Sequence, residues 1–302
     1  MNKEEHSNNQ HKTIIQGFWH GPDIGQLRQA CLTSFVECGH IFELYTYEHV
    51  DVPHGVVLRD ANEIIPYKEI FYYFNPVTGK PDLGPFSDLF RFKLLYERGG
   101  WWSDVDTICL SDKIPAIERA WARELPEYAP DKVGTSQIAF KQGDPVIKLL
   151  YERCYTLSKT NYPRRESLGP ILLSETISDL QLPKDMFGSA DLFYPVRWIE
   201  IFTLWLPEFK DEITSRTENS IYMPIYQSFS QYIGLTSGGL PPKGSYLATL
   251  CDKFGLENEF RYSADEVFAK TKQFFHANRE WAIDELKSIK GKDFLERMEL
   301  YF

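Results

Sequence analysis

The sequence predicts an α/β fold with a mostly parallel central sheet. Between residues 13 and 110, short apolar runs that are typical of strands alternate with segments whose apolar residues recur at helical spacing. Such alternation is typical of parallel sheets, in which a helix connects each strand to the next. The chain has 302 residues, of which 43% are hydrophobic, and this length is sufficient for a large core.

The first elements follow from these patterns in chain order. Residues 13–21 (TIIQGFWHG), 40–48 and 55–60 each predict a short strand. Residues 23–39 predict a helix between the first two strands, with Asp23 as the N-cap candidate and a glycine at its end.

The most regular pattern covers residues 86–100 (FSDLFRFKLLYERGG). Its apolar residues repeat at helical spacing and two glycines end it, which predicts an amphipathic helix capped by Ser87 or Asp88. The following residues, 101–110 (WWSDVDTICL), predict a strand that contains two aspartates, one residue apart.

The second half of the chain is less regular. Residues 137–154 predict a strand, a turn and a helix, and another helix is predicted to begin at or near Pro170. No linker composition marks an internal boundary. We therefore predict a disordered tail over 1–12, a single domain over 13–255 and a C-terminal helical extension over 256–302.

Composition excludes several classes of function. The net charge of −10 argues against a nucleic-acid binder, which would have a basic patch. The polar N-terminus does not resemble a signal peptide, and no apolar run approaches the ~18 residues of a membrane span. Five cysteines, an odd number without zinc-site spacing, predict reduced thiols. We expect a cytoplasmic protein whose contact with a membrane, if any, is peripheral.

Asp104 and Asp106 follow two glycines and two tryptophans in GGWWSDVD. On an extended chain, residues i and i+2 point to the same side, so both carboxylates would face one place. They repel each other unless a cation lies between them, and Mn²⁺ or Mg²⁺ suits carboxylate oxygens. An isolated pair more often marks a solvated strand end. Here the preceding helix adds Asp88 and Arg91 one turn apart on one face, which favours a binding site.

This block, FSDLFRFKLLYERGGWWSDVDTICL, resembles the glycosyltransferases that have a DxD sugar-binding region. This family 32-like group contains bacterial capsule and lipopolysaccharide transferases, yeast mannosyltransferases and relatives of the clostridial glucosylating toxins. Looser similarities occur in IIQGFWHG, VVLRDANEIIP, LGPILLSETI, FYPVRWIE and PPKGSYLATLC, so that the resemblance extends over residues 13–255. It implies the GT-A fold, Mn²⁺ or Mg²⁺, and transfer of a hexose with retained configuration. The donor would be a nucleotide sugar, most often a UDP-sugar, and the acceptor a glycan, a glycolipid or a protein.

The resemblance also implies roles for individual residues. Asp106 corresponds to the direct metal ligand, and Asp104 to a second carboxylate of the metal site that holds the ribose and a metal-bound water. Asp88 and Arg91 correspond to ligands of the donor sugar's hydroxyl groups, and Arg91 is grouped with the two aspartates as catalytic. Trp19 corresponds to the aromatic residue that stacks on the nucleobase, although a tryptophan at this place in a sequence is more often part of the core.

Further residues are assigned to the same site by the resemblance. Phe18, Gly99 and Gly100 are expected to bind the donor, because glycine lets the backbone come close to a ligand. Gly169 and Pro170 are expected to shape the acceptor side or a supporting turn.

The sequence departs from the family at one place. Bacterial relatives have an HLWNE-like stretch whose histidine can complete the metal site, whereas this chain has SIYMPIYQSF (220–229), with Tyr222 or Met223 at that position. Neither side chain is a good ligand for Mn²⁺. Another residue or water fills the position, or the metal binds more weakly, or catalysis is impaired, and we expect the first.

Three other functions remain as alternatives. The missing histidine suggests a protein that binds sugar nucleotides without transferring them. A phosphohydrolase is disfavoured, because its nucleophilic aspartate would normally end an early strand, and here that strand ends at Trp19. A structural interaction module predicts no metal-dependent nucleotide binding. No catalytic nucleophile stands out, and front-face substitution assisted by the leaving phosphate requires none.

Overall fold

The computed structural model describes residues 13–74, 79–127, 129–160, 164–235, 239–256 and 261–278. The strands are β1 (Ile14–Phe18), β2 (Ile41–Thr46), β3 (Val57–Asp60), β4 (Tyr73–Phe74), β5 (Pro81–Asp82), β6 (Gly100–Ser103), β7 (Thr107–Cys109), β8 (Arg119–Ala120), β9 (Gln137–Phe140) and β10 (Tyr222–Pro224). The α-helices are α1 (Gln26–Glu37), α2 (Gly84–Arg98), α3 (Pro145–Ser158), α4 (Pro170–Asp179), α5 (Ala190–Phe193), α6 (Lys210–Thr217), α7 (Gln227–Tyr232), α8 (Tyr246–Lys253) and α9 (Ala264–Ala277). Short 3-10 helices cover Ala61–Glu63, Tyr67–Glu69, Arg165–Ser167, Trp198–Leu204 and Pro207–Phe209.

The central sheet has the strand order β3-β2-β1-β6-β9-β8. The first four strands of this order are parallel to one another, and β9 and β8 add an antiparallel edge. The predicted α/β class with a mostly parallel sheet is therefore confirmed. The sequence patterns did not predict the antiparallel edge, which many α/β sheets carry.

The prediction of one strand over residues 101–110 is wrong. β6 ends at Ser103, residues 104–106 lie between the strands, and β7 pairs with β10 in a separate two-stranded sheet. Asp104 and Asp106 therefore lie in a turn between two strands, and the alternation of an extended chain does not determine where they point. The environment of each carboxylate follows instead from the elements that pack around the turn.

The predicted helix caps are also corrected. α2 begins at Gly84, so Ser87 and Asp88 lie inside the helix and do not cap it. α1 begins at Gln26 with Gly25 in the cap position, and Asp23 accepts a hydrogen bond from the Gly25 N–H at 2.8 Å just before the helix. The helix predicted at Pro170 is confirmed as α4.

Helices cover both faces of the sheet because successive strand residues point to opposite sides. Trp101 packs with Ile15 and Phe35 of α1 on one face, and Trp102 packs with Phe90 of α2 on the other. This arrangement packs α2 against one face of the sheet. We call residues 104–106, between β6 and β7, the acidic turn. All five cysteines are free thiols.

A third core cluster joins the C-terminal elements to the 3-10 helix Trp198–Leu204. Phe275 of α9 lies with its ring centroid 5.2 Å from that of Phe202. The predicted tail (1–12) and most of the predicted extension beyond α9 (279–302) lie outside the described residues, and the boundary between residues 255 and 256 stays a prediction. Among the described helices, none has the length and apolar character that crossing a membrane requires.

Candidate functional site

Trp19 and Asp104 lie at the same edge of the central sheet. β1 has β2 on one side and β6 on the other, so the order of strands reverses at β1. Open α/β sheets bind ligands at the carboxyl ends of their strands beside such a switch point. Trp19 directly follows β1 and Asp104 directly follows β6, and the pairing of Gln16 with Trp102 brings the two strand ends level.

Arg91 connects two carboxylates at this edge. Its Nη1 donates to Asp88 Oδ1 at 2.8 Å, and its Nη2 donates to Asp104 Oδ1 at 2.7 Å. The indole Nε1 of Trp102 donates to the same Asp104 oxygen at 2.8 Å, and the guanidinium carbon lies 4.8 Å from the centroid of the Trp102 ring. The side chain of Arg91 is only 5% exposed. These contacts fix one oxygen of Asp104 toward α2, while its Oδ2 accepts no hydrogen bond from the described residues.

Asp88 is the buried end of this chain of charges. Burial raises the pKa of Asp88 to about 6, with Arg91 and Arg165 opposing the shift and Asp104 adding to it. Gly169, which precedes α4, lies directly against the carboxylate, and a Cβ at this position would collide with it. The glycine at 169 therefore serves the packing of α4 against Asp88.

Asp106 is held from another direction, by a segment 121 residues later in the chain. Its backbone oxygen accepts a hydrogen bond from the Ile225 N–H at 2.8 Å, and its Oδ2 accepts one from the Gln227 N–H at 2.9 Å. Tyr226, between these two donors, has a left-handed backbone with φ of 41°, which is uncommon for a residue other than glycine and often occurs at functional sites. Burial raises the pKa of Asp104, and the negative charge of Asp106 adds to this effect.

The expectation that Tyr222 or Met223 takes the place of a metal-binding histidine is wrong. In the ladder between β10 and β7, Tyr222 pairs with Cys109 and Met223 with Ile108, so both lie farther along β7 from Asp106. Both side chains are fully buried in the core. The chain reaches Asp106 only at residues 225–227, because the ladder must run its length before the strand turns into α7.

Gln227 contacts Asp106 through its backbone N–H, and its own side chain is buried. The residue is 3% exposed, and neither its Oε1 nor its Nε2 has a hydrogen-bond partner. Buried amide atoms without a partner are uncommon and costly, so such a group is often a sign of an unfilled binding role. Nothing in the local sequence pattern distinguished Gln227, because its place depends on a contact between distant segments.

Trp19 is half-buried at the end of β1. Its Nε1 donates to the Gly21 carbonyl at 3.0 Å, which holds the ring against the loop. The guanidinium carbon of Arg28, on α1, lies 4.6 Å from the ring centroid and covers one face. The Nδ1 of the neighbouring His20 contacts Glu48 Oε2 at 3.0 Å, and its Nε2 lies 3.3 Å from the Tyr72 hydroxyl, so both ring nitrogens have partners within the protein. One face of the indole is therefore occupied by a cation from α1.

The structure does not bring Phe18, Gly99 and Gly100 together with the acidic turn. Phe18 is 6% exposed and stacks on an aromatic ring of α2 in the core. Gly99 precedes β6 and Gly100 is its first residue, so both lie at the opposite end of this strand from Asp104, and their φ values are 67° and 92°. Left-handed values of φ favour glycine. A Cβ at Gly99 would collide with the backbone of Gln142, so these glycines serve the turn from α2 into β6.

The two carboxylates of the turn, Asp104 and Asp106, have the chemistry for a hard divalent cation, and the amide of Gln227 belongs to the residue whose backbone binds Asp106. Asp104 Oδ2 and Asp106 Oδ1 accept no hydrogen bond from the described residues, and carboxylate and amide oxygens suit Mn²⁺ or Mg²⁺. Within the described ranges, no group of three or more His, Cys, Asp or Glu side chains could hold a metal ion. The donor set therefore fits such a cation only if a bound ligand and water supply further oxygens.

Comparisons with known proteins add little to this description. No family model matches the chain, and no curated protein matches it. Among solved structures, the chain is similar to one titled PaToxG Glycosyltransferase, with 16% sequence identity and a TM-score of 0.42. The similarity covers 59% of this chain and 82% of that chain. The functional argument consequently rests on the geometry of the site.

Proposed function

We propose that this protein is a metal-dependent, retaining glycosyltransferase of the GT-A type. It moves a hexose from a nucleotide sugar, a UDP-sugar in our proposal, to a glycan, glycolipid or protein acceptor. The observation that carries the proposal is the hydrogen-bonded chain Asp88–Arg91–Asp104 at the carboxyl edge of the sheet, beside the switch point at β1. This hydrogen-bonded chain ends at Asp104 in the acidic turn, which follows β6. Trp19 follows the neighbouring strand β1.

The residues have separable tasks in this reaction. Mn²⁺ or Mg²⁺, held by Asp104 and Asp106, would neutralise the diphosphate of the donor as the bond to the sugar breaks. Arg91 orients Asp104 through a 2.7 Å hydrogen bond and keeps it from turning away. Asp88 and Arg91 would bind hydroxyl groups of the donor sugar, which fixes its position before reaction. Gln227, whose backbone N–H binds Asp106, would supply an amide oxygen in place of the family's histidine.

The donor's base is assigned to Trp19. Because Arg28 covers one face of the indole, only the other face is available to a base. Stacking of a base on an aromatic side chain contributes about 1–3 kcal/mol, so Trp19→Ala should weaken UDP binding roughly ten- to hundredfold in calorimetry. Much tighter binding of GDP than of UDP would overturn the choice of nucleotide.

A donor screen tests the proposed reaction. The protein is incubated with UDP-sugars and GDP-sugars in Mn²⁺, and release of free nucleotide is measured with and without excess chelator. We expect release from a UDP-sugar that stops when the chelator is added. Release that the chelator leaves unchanged would contradict the metal dependence.

The same screen separates the alternative function. A protein that binds UDP-sugars in calorimetry but releases no nucleotide, and labels no acceptor in a glycan, glycolipid and protein panel, would be a sugar-nucleotide-binding protein. This alternative is supported by the metal site, because the described His, Cys, Asp and Glu side chains provide no group of three that could hold a metal ion.

A further inference from the structure

Arg28 is a partly buried cation that forms no ion pair with a carboxylate in the part of the chain that the structure describes. It lies on α1 at the carboxyl edge of the sheet, and its Nη1 donates a hydrogen bond to the Ile24 carbonyl at 3.2 Å. Within the described residues it forms no other hydrogen bond and no ion pair, and its remaining close contact is the face of the Trp19 indole. The Nε and Nη2 donors are therefore unused.

Several other arginines form ion pairs with carboxylates. Arg91 contacts two aspartates, Arg59 pairs with Glu43, and Arg197 contacts Glu127 at 2.7 Å. Arg28 differs from them because burial removes water from it, while Asp106 and Asp23 act on it only electrostatically and form no ion pair with it. Burial lowers the pKa of Arg28, and the nearby negative charge of Asp106 opposes this effect. A guanidinium remains charged in proteins, so this arrangement costs free energy unless an anionic ligand completes it.

The position of Arg28 identifies the chemistry of that ligand. The guanidinium lies against Trp19 and within electrostatic reach of Asp106. A nucleotide whose base stacks on Trp19 and whose phosphates reach the acidic turn must pass beside it. Planar guanidinium groups bind phosphate oxygens through paired N–H donors, which an ammonium group cannot reproduce.

We propose that Arg28 binds the diphosphate of the nucleotide donor and makes the site selective for nucleoside diphosphates over monophosphates and nucleosides. This inference rests on the proposed function, because it takes the nucleotide to lie between Trp19 and Asp106. It assigns part of the neutralisation of the diphosphate to a fixed charge of the protein. Some affinity for the diphosphate is therefore retained without the divalent cation.

The test compares three ligands that differ only in phosphate number. Binding of uridine, UMP and UDP is measured by calorimetry, with and without Mn²⁺, for the wild type, Arg28→Gln and Arg28→Lys. The control is Arg98→Gln, which removes an exposed arginine paired with Glu63 outside this site. Loss of a charge-assisted hydrogen bond is worth about 1.5–3 kcal/mol, so Arg28→Gln should weaken UDP binding about tenfold or more, also without Mn²⁺. The affinity of Arg28→Gln for uridine should equal that of the wild type. The UDP affinity of Arg28→Lys should lie between those of the wild type and Arg28→Gln, and Arg98→Gln should bind UDP as the wild type does.

Several results would overturn the inference. Unchanged UDP affinity in Arg28→Gln would remove Arg28 from the site, and an equal loss for uridine and UDP would show that it acts only through Trp19. If Arg28→Gln does not fold, Arg28→Lys decides, and a full retention of UDP affinity there contradicts recognition by a planar guanidinium. A wild type that binds UDP but transfers no sugar contradicts the proposed transferase. The role of Arg28 can still be decided in that case, because its test measures binding alone. A wild type that binds none of the three ligands overturns both.

Discussion

The two aspartates of the acidic turn have different surroundings, although only Val105 separates them. Asp104 is bound by Arg91 and Trp102, which lie within the same short stretch of chain. Asp106 is bound by backbone donors of residues 225–227, from the other half of the protein. One side of the site is therefore local in sequence, and the other exists only in the folded protein.

The two sides also differ in how completely their polar groups are paired. Around Asp104 the charges of Asp88 and Arg91 are matched within hydrogen-bond distance, although Arg91 Nε is buried without a partner. Around Asp106, the buried amide of Gln227 has no partner and Tyr226 has a left-handed backbone. Paired buried charges give rigidity, whereas unpaired groups leave capacity for a ligand. We infer that the Asp104 side positions the site and that the Asp106 side is completed by what binds there.

The largest expected effect is on the Asp104 side. Arg91→Met removes the cation between two carboxylates and leaves Asp88 buried without its ion-pair partner, while Asp104 keeps only the hydrogen bond from Trp102, so the variant should lower the free energy of unfolding by about 3–5 kcal/mol in urea denaturation. The control Arg98→Met breaks an ion pair whose two side chains are each 52% exposed, and should cost less than about 1 kcal/mol. Similar losses in both variants would contradict a tightly paired Asp104 side.

Asp88 should make stability depend on pH. Burial raises the pKa of Asp88 to about 6 in the folded protein, from an ordinary value of 3.8. Between these two values the folded state binds more protons than the unfolded state, so this group's contribution to stability is lost as pH rises from about 4 to about 6. Relative to Asp88→Asn, the wild type should lose about 3 kcal/mol over this range, since each unit of pKa shift corresponds to about 1.4 kcal/mol.

Urea denaturation of both proteins at pH 4, 5, 6 and 7 measures this difference. Asp179→Asn, on the exposed end of α4, is the control and should give no pH-dependent difference from the wild type. A difference between the wild type and Asp88→Asn that is constant across the series would show that Asp88 titrates normally.

On the Asp106 side, activity and stability should separate. Asp106→Asn keeps an oxygen that can accept the hydrogen bond of the Gln227 N–H, so the free energy of unfolding should change little. Loss of one metal-binding carboxylate should lower nucleotide release roughly a hundredfold or more and abolish Mn²⁺-dependent UDP binding. A large loss of stability with activity preserved would reverse the proposed division between the two sides.

The smallest effect is expected at Gln227. Gln227→Met removes two unpaired buried polar atoms at similar volume, so stability should stay the same or rise by up to about 1 kcal/mol. If the amide oxygen contacts the bound cation, Mn²⁺ affinity in the presence of UDP should fall severalfold. Gln231→Met, on the exposed face of the same helix, should leave the affinity unchanged. Equal Mn²⁺ affinity in all three proteins would remove Gln227 from the metal site.

The sequence by itself determined the α/β class and the part of the site that is local in the chain. Helical spacing placed Asp88 and Arg91 on one face of α2, and the structure shows them in contact at 2.8 Å. The early strands, α2 and α4 were predicted close to where they are observed because their apolar residues suit a strand or a helix, and because glycine ends α2 and proline begins α4.

Only the tertiary structure decided which distant segments complete the site. The turn at Asp104–Asp106 interrupts what looked like one strand, because apolar residues on both sides of it suit a strand and the Ser and Asp residues between them were assigned to a binding role within that strand. The placement of Gln227 depends on the ladder between β10 and β7, and that of Arg28 on the packing of α1 against the sheet end. Strand register and helix packing are set by the burial of apolar faces, summed over many residues from distant parts of the chain. A local sequence pattern does not contain this information.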